Sequence, residues 1–233
     1  MIKGVIFDYG GTIDSRGDHW SEIIWDGYRH AGVEVSKEDF RDAYVYAERA
    51  LAKYPFIRPH HDFLDLLRIK MRLELDELAA RGLFPAKKVH EVAEQVASYC
   101  YDYARKCVSE ARPVLEEIRR RGIPMVLVSN FYGNISSVLA DFGLDIFFPT
   151  IIESAVVGVR KPDPAIFGLG VDAIGLPASE VLVVGDSLRK DILPARSLGC
   201  QTAWIKGKGW TAEEDAQTDP CVIKSLSEVL DLL

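Results

Sequence analysis

Carboxylates directly follow two apolar stretches of this 233-residue sequence. Asp8 comes after residues 2–7, and Asp186 comes after Val181–Gly185, with Asp191 a short distance further on. If those stretches are buried strands, each carboxylate is held at a strand end, where it can attack an electrophile or bind a cation such as Mg²⁺. Taken alone, each position is also explained by an aspartate that starts a turn or a helix.

A hydroxyl and an ammonium group occupy two further loops. Ser129 and Asn130 close the apolar segment that starts at residue 124, and Lys161 begins a Lys-Pro-Asp-Pro run. Phosphoryl transfer needs hydrogen-bond donors and cations aimed at the phosphoryl oxygens, so both loops have a clear use in such chemistry. The simpler explanations are a helix N-cap at Ser129 and an exposed lysine at position 161.

The segments that must position these groups alternate between two patterns. Uninterrupted apolar stretches alternate with amphipathic helical spacing, which predicts a parallel sheet with helices on both faces. In such a sheet ligands bind beyond the carboxyl ends of the strands. The predicted strands are residues 2–7, 124–129, 150–152, Val181–Gly185 and Gln201–Ile205. The predicted helices between the later strands are residues 114–121, 135–142, Ala165–Ile174 and 190–198.

Residues 15–108 interrupt this alternation with helical patterns only. Ser36 and Asp39 resemble a capping box before one helix, Gly82 ends a second helix, and a third carries apolar residues from Val89 to Cys107. A shorter helix is predicted near residues 20–30. The sequence therefore predicts an α/β core of residues 1–14 and 109–233, with an inserted all-helical domain of residues 15–108.

Composition narrows the class of partner. The chain has 28 Lys and Arg against 35 Asp and Glu, a net charge of −7, which argues against nucleic acid or an anionic membrane as the main partner. No cysteine pair has the spacing of a redox motif or a zinc site, and no apolar run approaches the ~18 residues of a membrane span. A cytoplasmic protein is predicted.

Across these four loops the sequence resembles the haloacid dehalogenase superfamily. Asp8, Gly11 and Thr12 match its D-x-D-G-T-like first motif, and the other three loops match its later motifs in the same order. Within the superfamily the chain is similar to phosphoglycolate phosphatase-like members, which carry a helical C1-type cap between the first two core strands. The resemblance implies a Rossmann-like parallel core with residues 15–108 as the cap.

The resemblance also implies an activity and a role for each residue. It implies a Mg²⁺-dependent hydrolase, in the first instance a phosphatase that forms an aspartyl-phosphate at Asp8 and takes a small phosphorylated metabolite whose identity the cap selects. The implied catalytic residues are Asp8, Ser129 and Lys161. The implied metal site consists of Asp8, the Gly10 carbonyl, Asp186 and Asp191. The implied phosphate contacts are Gly11, Thr12, Ser129, Asn130 and Lys161.

Gly10 departs from the family motif, which has a second aspartate there as general acid and base. Glycine offers no proton, and such catalysis typically contributes about 10²–10⁴ in rate. One hypothesis is a phosphatase for substrates with good leaving groups, or one in which His19 or Asp14 supplies the proton.

Two further hypotheses stay open. One is a C–P bond hydrolase resembling phosphonoacetaldehyde hydrolase, for which Lys53 and Lys70 are the candidate Schiff-base lysines in the insert. The other is a phosphate-binding regulatory protein with little or no turnover. A dehalogenase fits less well, because those members need no Mg²⁺ and lack the acidic fourth motif that Asp186 and Asp191 supply here.

Overall fold

Six strands form one entirely parallel sheet in the computed structural model, which describes residues 1–233. The strand order is β3-β2-β1-β4-β5-β6, which is the order of a doubly wound Rossmann-like sheet. The strands are β1 Gly4–Phe7, β2 Met125–Ser129, β3 Thr150–Glu153, β4 Val181–Gly185, β5 Gln201–Ile205 and β6 Val222–Ile223. The predicted α/β class and the five predicted strands are confirmed. The short edge strand β6 was not predicted, because two residues carry no periodicity.

Nine α-helices accompany the sheet. Four belong wholly or partly to the predicted insert: α1 Trp20–His30, α2 Lys37–Lys53, α3 Phe63–Ala80 and α4 Val89–Arg120. The others are α5 Ile135–Asp141, α6 Ser154–Val157, α7 Ala165–Ile174, α8 Leu193–Ser197 and α9 Ala212–Ala216. None of the helices is both long enough and apolar enough to cross a membrane.

The inserted helices begin and end where the sequence signals lie. The Ser36 hydroxyl accepts a hydrogen bond from the Asp39 backbone N–H at 3.0 Å and caps α2. Asp62 caps α3 in the same way through the Asp65 N–H at 2.8 Å. Beyond α3, Gly82 takes a positive φ of 74°, which only glycine adopts without cost and which stops the helix.

Helix α4 differs from its prediction. The sequence indicated two helices, over residues 89–107 and 114–121, whereas the structure has one 32-residue helix with Pro113 inside it. Pro113 removes a helical hydrogen bond, but Val114, Leu115 and Ile118 are buried in the same apolar cluster as the earlier part of the helix. Burial of one continuous face outweighs the proline. The boundary at residue 108 lies inside this helix and stays a prediction.

The segment after β4 also differs from its prediction. Instead of one α-helix over residues 190–198, a π-helical turn, Leu188–Ile192, precedes the short α8. Pro194 lies in the first turn of α8, where its missing N–H costs nothing, and this favours a new helix start at that point. The wide π-turn directs Asp191 inward, where it is buried. Helical distortions of this kind are frequent at functional sites.

Candidate active site

Three neighbouring strands deliver the polar groups to one edge of the sheet. Asp8 follows β1, Ser129 ends β2 and Asp186 follows β4, and β1 lies between the other two. The Asp8 backbone N–H donates to the Val184 carbonyl at 3.0 Å, so Asp8 continues the strand register rather than starting a free turn. Loops that are far apart in the chain therefore converge at the carboxyl ends of the central strands.

Lys161 joins two of the carboxylates. Its ammonium nitrogen lies 2.8 Å from Asp8 Oδ1 and 2.7 Å from Asp191 Oδ1, and all three side chains are buried. Burial lowers the pKa of Lys161, but Asp191 and Asp8 more than offset that effect and raise the pKa above its ordinary value. Lys161 is therefore a fixed cation beside Asp8.

Asp186 adds a third carboxylate to this cluster. Oxygen atoms of Asp8, Asp186 and Asp191 lie within 4.8 Å of one another. Thr12 Oγ1 donates to Asp186 Oδ1 at 3.3 Å, and the Trp204 indole N–H donates to the Asp186 carbonyl at 2.6 Å. Lys161 forms ion pairs with Asp8 and Asp191 but not with Asp186, so the three carboxylates outnumber the cation that contacts them.

The pKa of Asp186 reflects the excess of negative charge in this cluster. Burial, followed by the charges of Asp191 and Asp8, raises the pKa of Asp186 well above its ordinary value. A divalent cation would remove the repulsion, and carboxylate oxygens are the ligands that Mg²⁺ prefers. Asp8 and Asp186 are the residues best placed to bind it. Asp191, the third predicted metal ligand, lies in the same cluster, and its oxygens also receive Lys161 and the Ser187 backbone N–H at 3.0 Å.

Two glycines allow this close packing. A Cβ atom on Gly11, which has a φ of 94°, would lie 2.4 Å from the Asp186 carboxyl carbon. A Cβ atom on Gly185 would lie 2.4 Å from the Asp191 Cβ. Gly10 is different, because a Cβ there would meet no atom within 4 Å. The position where the family motif has its second aspartate is therefore open.

Ser129 and Asn130 have separate roles in the structure. The Ser129 hydroxyl is buried, lines the cleft beside Asp8 and has no hydrogen-bond partner within the protein, so it is ready to donate to a bound oxygen. The Asn130 side chain instead exchanges two hydrogen bonds with the Lys161 backbone, at 3.0 and 3.1 Å. Asn130, predicted as a phosphate contact, is thus placed to hold the Lys161 loop.

The two candidates for a relocated acid lie in different surroundings. Asp14 is fully buried, and its oxygens accept from the Gly11 N–H at 2.7 Å and the Trp20 indole N–H at 3.0 Å. Burial raises the pKa of Asp14 to about 8, so it holds a proton at neutral pH, but both oxygens are occupied in shaping the Asp8 loop. His19 packs against Tyr44 and Trp210 at the cap side of the cleft.

A single large cleft connects this cluster to the cap. Its volume is about 1090 Å³, and nine basic side chains line it against six acidic ones. The cleft is therefore net basic in a chain of net charge −7, which suits an anionic small molecule.

The cap wall of the cleft contains Glu48, which sequence reasoning passed over, beside Lys70, which it considered only as a Schiff-base lysine. Glu48 of α2 forms an ion pair with Lys70 of α3, and the Tyr132 hydroxyl donates to Glu48. One signal was present in the sequence: Lys70 falls on the same helical face as Leu66, Leu67 and Met71, which is an unusual position for a charge.

Comparison with known proteins gives a family match over most of the chain. The model of the haloacid dehalogenase-like hydrolase family matches residues 2–199. A glyceraldehyde 3-phosphate phosphatase of Pyrococcus abyssi is 32% identical over 214 residues, which cover 88% of this chain and 82% of that protein. An (S)-2-haloacid dehalogenase 2 of a Pseudomonas species (strain CBS-3) is 31% identical over 237 residues, covering 100% of this chain and 96% of that protein.

Other relatives match over a shorter stretch, and the structural comparison agrees on the fold. The chain matches less than two thirds of the length of several curated relatives, and only 48% of a phosphoserine phosphatase of Thermus thermophilus. A crystal structure of a dehalogenase superimposes over 100% of this chain and 97% of its own with a TM-score of 0.66 at 19% identity.

Proposed function

The chain belongs to the haloacid dehalogenase-like hydrolase family, and from that premise we propose that it is a Mg²⁺-dependent phosphatase acting on a small phosphorylated metabolite. One observation carries the proposal: Asp8, the Lys161 ammonium group, Asp186 and the unpartnered Ser129 hydroxyl share one net-basic cleft. A nucleophile, a fixed cation, a place for a divalent ion and a free donor are the parts that phosphoryl transfer needs.

Each side chain has a definite part in the proposed reaction. Asp8 attacks phosphorus, the bond from phosphorus to the leaving oxygen breaks, and an aspartyl-phosphate forms; water then hydrolyses it and restores the carboxylate. Lys161 and Ser129 donate to the phosphoryl oxygens, on which charge accumulates in the transition state. Mg²⁺, bound by Asp8 and Asp186, would neutralise further phosphoryl charge.

The open position at Gly10 limits which substrates react well. No carboxylic acid protonates the leaving oxygen, so esters with good leaving groups should react faster than simple alkyl esters. At saturation the native chain is therefore expected to turn over aryl and acyl phosphates fastest, whereas the affinity for an alkyl ester is set separately by the groups that contact the rest of the substrate.

The experiment is a panel of phosphate esters assayed with Mg²⁺ and with a chelator, on the native chain and on Asp8→Asn. Turnover that needs Mg²⁺ and falls by about 10³-fold or more in Asp8→Asn supports the phosphatase. Asp172→Asn, an exposed aspartate on α7, is the matched control and should keep full activity. Turnover that survives Asp8→Asn would overturn the proposal.

A dehalogenase is the second candidate, favoured by the full-length similarity to the Pseudomonas (S)-2-haloacid dehalogenase. In that reaction Asp8 would displace halide from carbon to form an ester, which water hydrolyses, and no acid is needed at position 10. Asp186 opposes this assignment, since a third carboxylate near Asp8 repels a haloacid carboxylate. Halide release from (S)-2-chloropropionate in the presence of a chelator would select the dehalogenase over the phosphatase.

The C–P hydrolase needs a lysine that can be an uncharged amine. Burial lowers the pKa of Lys70, but Glu48 more than offsets it and raises the pKa above the ordinary value, so Lys70 remains a cation. A charged amine does not attack a carbonyl, which disfavours Lys70 as the Schiff-base residue. Borohydride trapping of phosphonoacetaldehyde on Lys70 or Lys53 would reverse that conclusion.

A further inference from the structure

A polar cluster in the cap faces the same cleft as Asp8 but takes no part in the proposed chemistry. Lys70 of α3 is buried and pairs with Glu48 of α2, whose side chain is about one-third exposed toward the cleft. The Tyr132 hydroxyl, from the loop after β2, lies 3.1 Å from each Glu48 carboxylate oxygen. Core and cap thus meet at Glu48, and this carboxylate is held in a defined orientation.

The pair presents polar groups without net charge. Glu48 neutralises Lys70, and the Lys70 nitrogen lies 4.1 Å from the centroid of the Tyr44 ring, whose face attracts a cation. Glu48 still has acceptor capacity and Lys70 has three N–H donors in all, so neither is saturated by the other. The Lys70 charge is already neutralised, so this pair offers no spare cation to a second anion on the substrate, and Glu48 would repel that anion.

His19 adds an uncharged donor beside this pair. Its Nδ1 accepts from the Ser21 backbone N–H at 3.2 Å, which places the ring proton on Nε2. Burial, followed by the charges of Lys190 and Lys70, lowers the pKa of His19 to about 4, so the ring is neutral at physiological pH. The ring centroid lies 5.3 Å from that of Trp210 and 6.0 Å from that of Tyr44.

Hydroxyl groups match this combination of partners. Each hydroxyl both donates and accepts, so a row of them can donate to Glu48 and accept from Lys70 and His19. Aromatic faces such as those of Tyr44 and Trp210 suit the C–H surface between hydroxyls. An alkyl chain would instead leave the remaining acceptor capacity of Glu48 unused against apolar groups, which is costly.

We propose that the cluster of Glu48, Lys70, Tyr132 and His19 recognises the hydroxylated part of a phosphorylated polyol or sugar, with Glu48 as the main specificity-determining residue. The inference deepens the proposed function, on which it rests for the placement of the phosphate at Asp8. The cleft volume of about 1090 Å³ is at the upper end for small-molecule sites and has room for such a chain.

The test measures binding in the Asp8→Asn background, so it does not depend on turnover. Calorimetry with Mg²⁺ present would compare ribitol 5-phosphate, pentyl phosphate and 5-phosphooxypentanoate, three ligands with equal chain length. The polyol phosphate should bind at least about tenfold more tightly than either of the others, since only its hydroxyls form hydrogen bonds with the charged groups of the cluster.

Adding Glu48→Gln should reduce the preference over pentyl phosphate to within about threefold and should improve binding of the carboxylated ligand. Glu91→Gln, an exposed glutamate on α4, is the matched control and should keep the full preference. If Glu48→Gln fails to fold, Tyr132→Phe replaces it, since loss of its hydroxyl frees the Glu48 carboxylate and should weaken the preference. A preference that is absent, or unchanged by the substitution, would overturn the inference.

Failure of the proposed function would give a different experimental result from failure of this inference. Turnover of p-nitrophenyl phosphate by the native chain tests the phosphatase without using the polyol ligand. Absence of that turnover would remove the phosphatase but leave the binding preference measurable. Normal turnover without a polyol preference would remove only the inference drawn from the cap cluster.

Discussion

Gly10 is the residue at which this chain departs most from the chemistry of its family motif. Its carbonyl can still serve a cation, because that group belongs to the backbone, but its side chain supplies no acid. The structure shows that the acid is missing for no steric reason, since a Cβ at position 10 would meet no atom within 4 Å and the backbone there has no positive φ. At Gly11, by contrast, a Cβ would clash with the Asp186 carboxylate, and φ is positive.

Gly10→Asp should therefore fold normally and gain activity. For alkyl phosphates, whose leaving group needs a proton, kcat is expected to rise by about 10²–10⁴-fold, the usual contribution of a positioned acid. For p-nitrophenyl phosphate the gain should be much smaller, since that leaving group needs no proton. Steady-state kinetics on both ester classes measures the difference. An equal gain on both classes would contradict the explanation.

Asp186 should decide whether Mg²⁺ stabilises the protein. A cation bound only by the folded chain, at a concentration about 100 times its Kd, adds about 2.7 kcal/mol to the free energy of unfolding. For a chain of this length that is a rise of roughly 5–10 °C in Tm. Asp186→Asn removes one ligand and should abolish most of the rise, whereas Asp172→Asn should keep it. Thermal melts with and without Mg²⁺ test this, and an undiminished rise in Asp186→Asn would place the cation elsewhere.

At the scale of elements, α3 carries a buried carboxylate that no cation neutralises fully. Glu74 is completely buried and accepts from the Tyr28 hydroxyl at 3.1 Å. Burial raises its pKa from the ordinary 4.5 to about 8, although Lys70 and Tyr28 act in the opposite direction. The folded chain therefore holds a proton at neutral pH that the unfolded chain releases.

The sign of the pH dependence follows from that raised pKa. Between about pH 4.5 and pH 8 the folded state binds more protons than the unfolded state, so Glu74 makes the free energy of unfolding fall as pH rises. Its share of the slope is at most about 1.4 kcal/mol per pH unit. Glu74→Gln should remove this share and be the more stable chain at pH 9. Urea denaturation from pH 5 to pH 9 measures the free energy of unfolding of each chain. Glu77→Gln on the same helix is the control. Parallel pH curves for the native chain and Glu74→Gln would refute the prediction.

The sequence predicted correctly those helices and strands whose pattern of apolar residues matches the pattern of buried residues in the structure. Val181–Gly185 was predicted with correct bounds, because a strand buried on both faces is apolar throughout. Gln201–Ile205 was also predicted with correct bounds, although only its last three residues are buried. Helix α4 did not, because Pro113 is a local signal of a helix break that long-range burial overrides. Local helix propensity does not include the packing of the helix against its neighbours, and that packing is what keeps α4 continuous through Pro113.

In the candidate site, too, the sequence indicated some of the residues that lie together and missed others. Asp8 and Asp186 were identified because each follows a strand, and strand ends of a parallel sheet meet. Lys161 was identified by its Lys-Pro-Asp-Pro run, since helix α6 separates it from β3. The partnership of Glu48 with Lys70 and Tyr132 joins two cap helices and a core loop, and nothing in the spacing of those residues predicts it. Contacts across the cleft depend on the angle between cap and core, which the sequence does not display.

At the scale of the whole molecule, the loop after β5 fastens the core to the cap. The His19 backbone N–H donates to the Lys208 carbonyl at 2.8 Å, and the Lys208 N–H donates to Asp18 Oδ1 at 2.8 Å. The Lys208 ammonium group reaches Glu22 of α1 at 2.8 Å. Backbones pack so closely here that a Cβ on Gly207 would lie 2.5 Å from the Asp18 nitrogen. This loop is therefore placed to control how firmly the cap covers the cleft.

Trp210 is the residue through which that control can be measured. Its ring packs against His19 and Tyr44, and the Arg41 guanidinium lies 4.9 Å from its centroid. Aromatic pairs contribute about 0.5–1.5 kcal/mol each and an exposed cation–π contact about 0.5–1 kcal/mol. Trp210→Ala should thus weaken cap docking by about 2 kcal/mol, roughly a 30-fold shift toward an open arrangement.

Amide hydrogen exchange in α1 and α2 should rise by a comparable factor, while exchange in β1 and β4 stays unchanged. Faster exchange in the sheet as well would mean general destabilisation, and unchanged exchange in α1 and α2 would show that other contacts hold the cap.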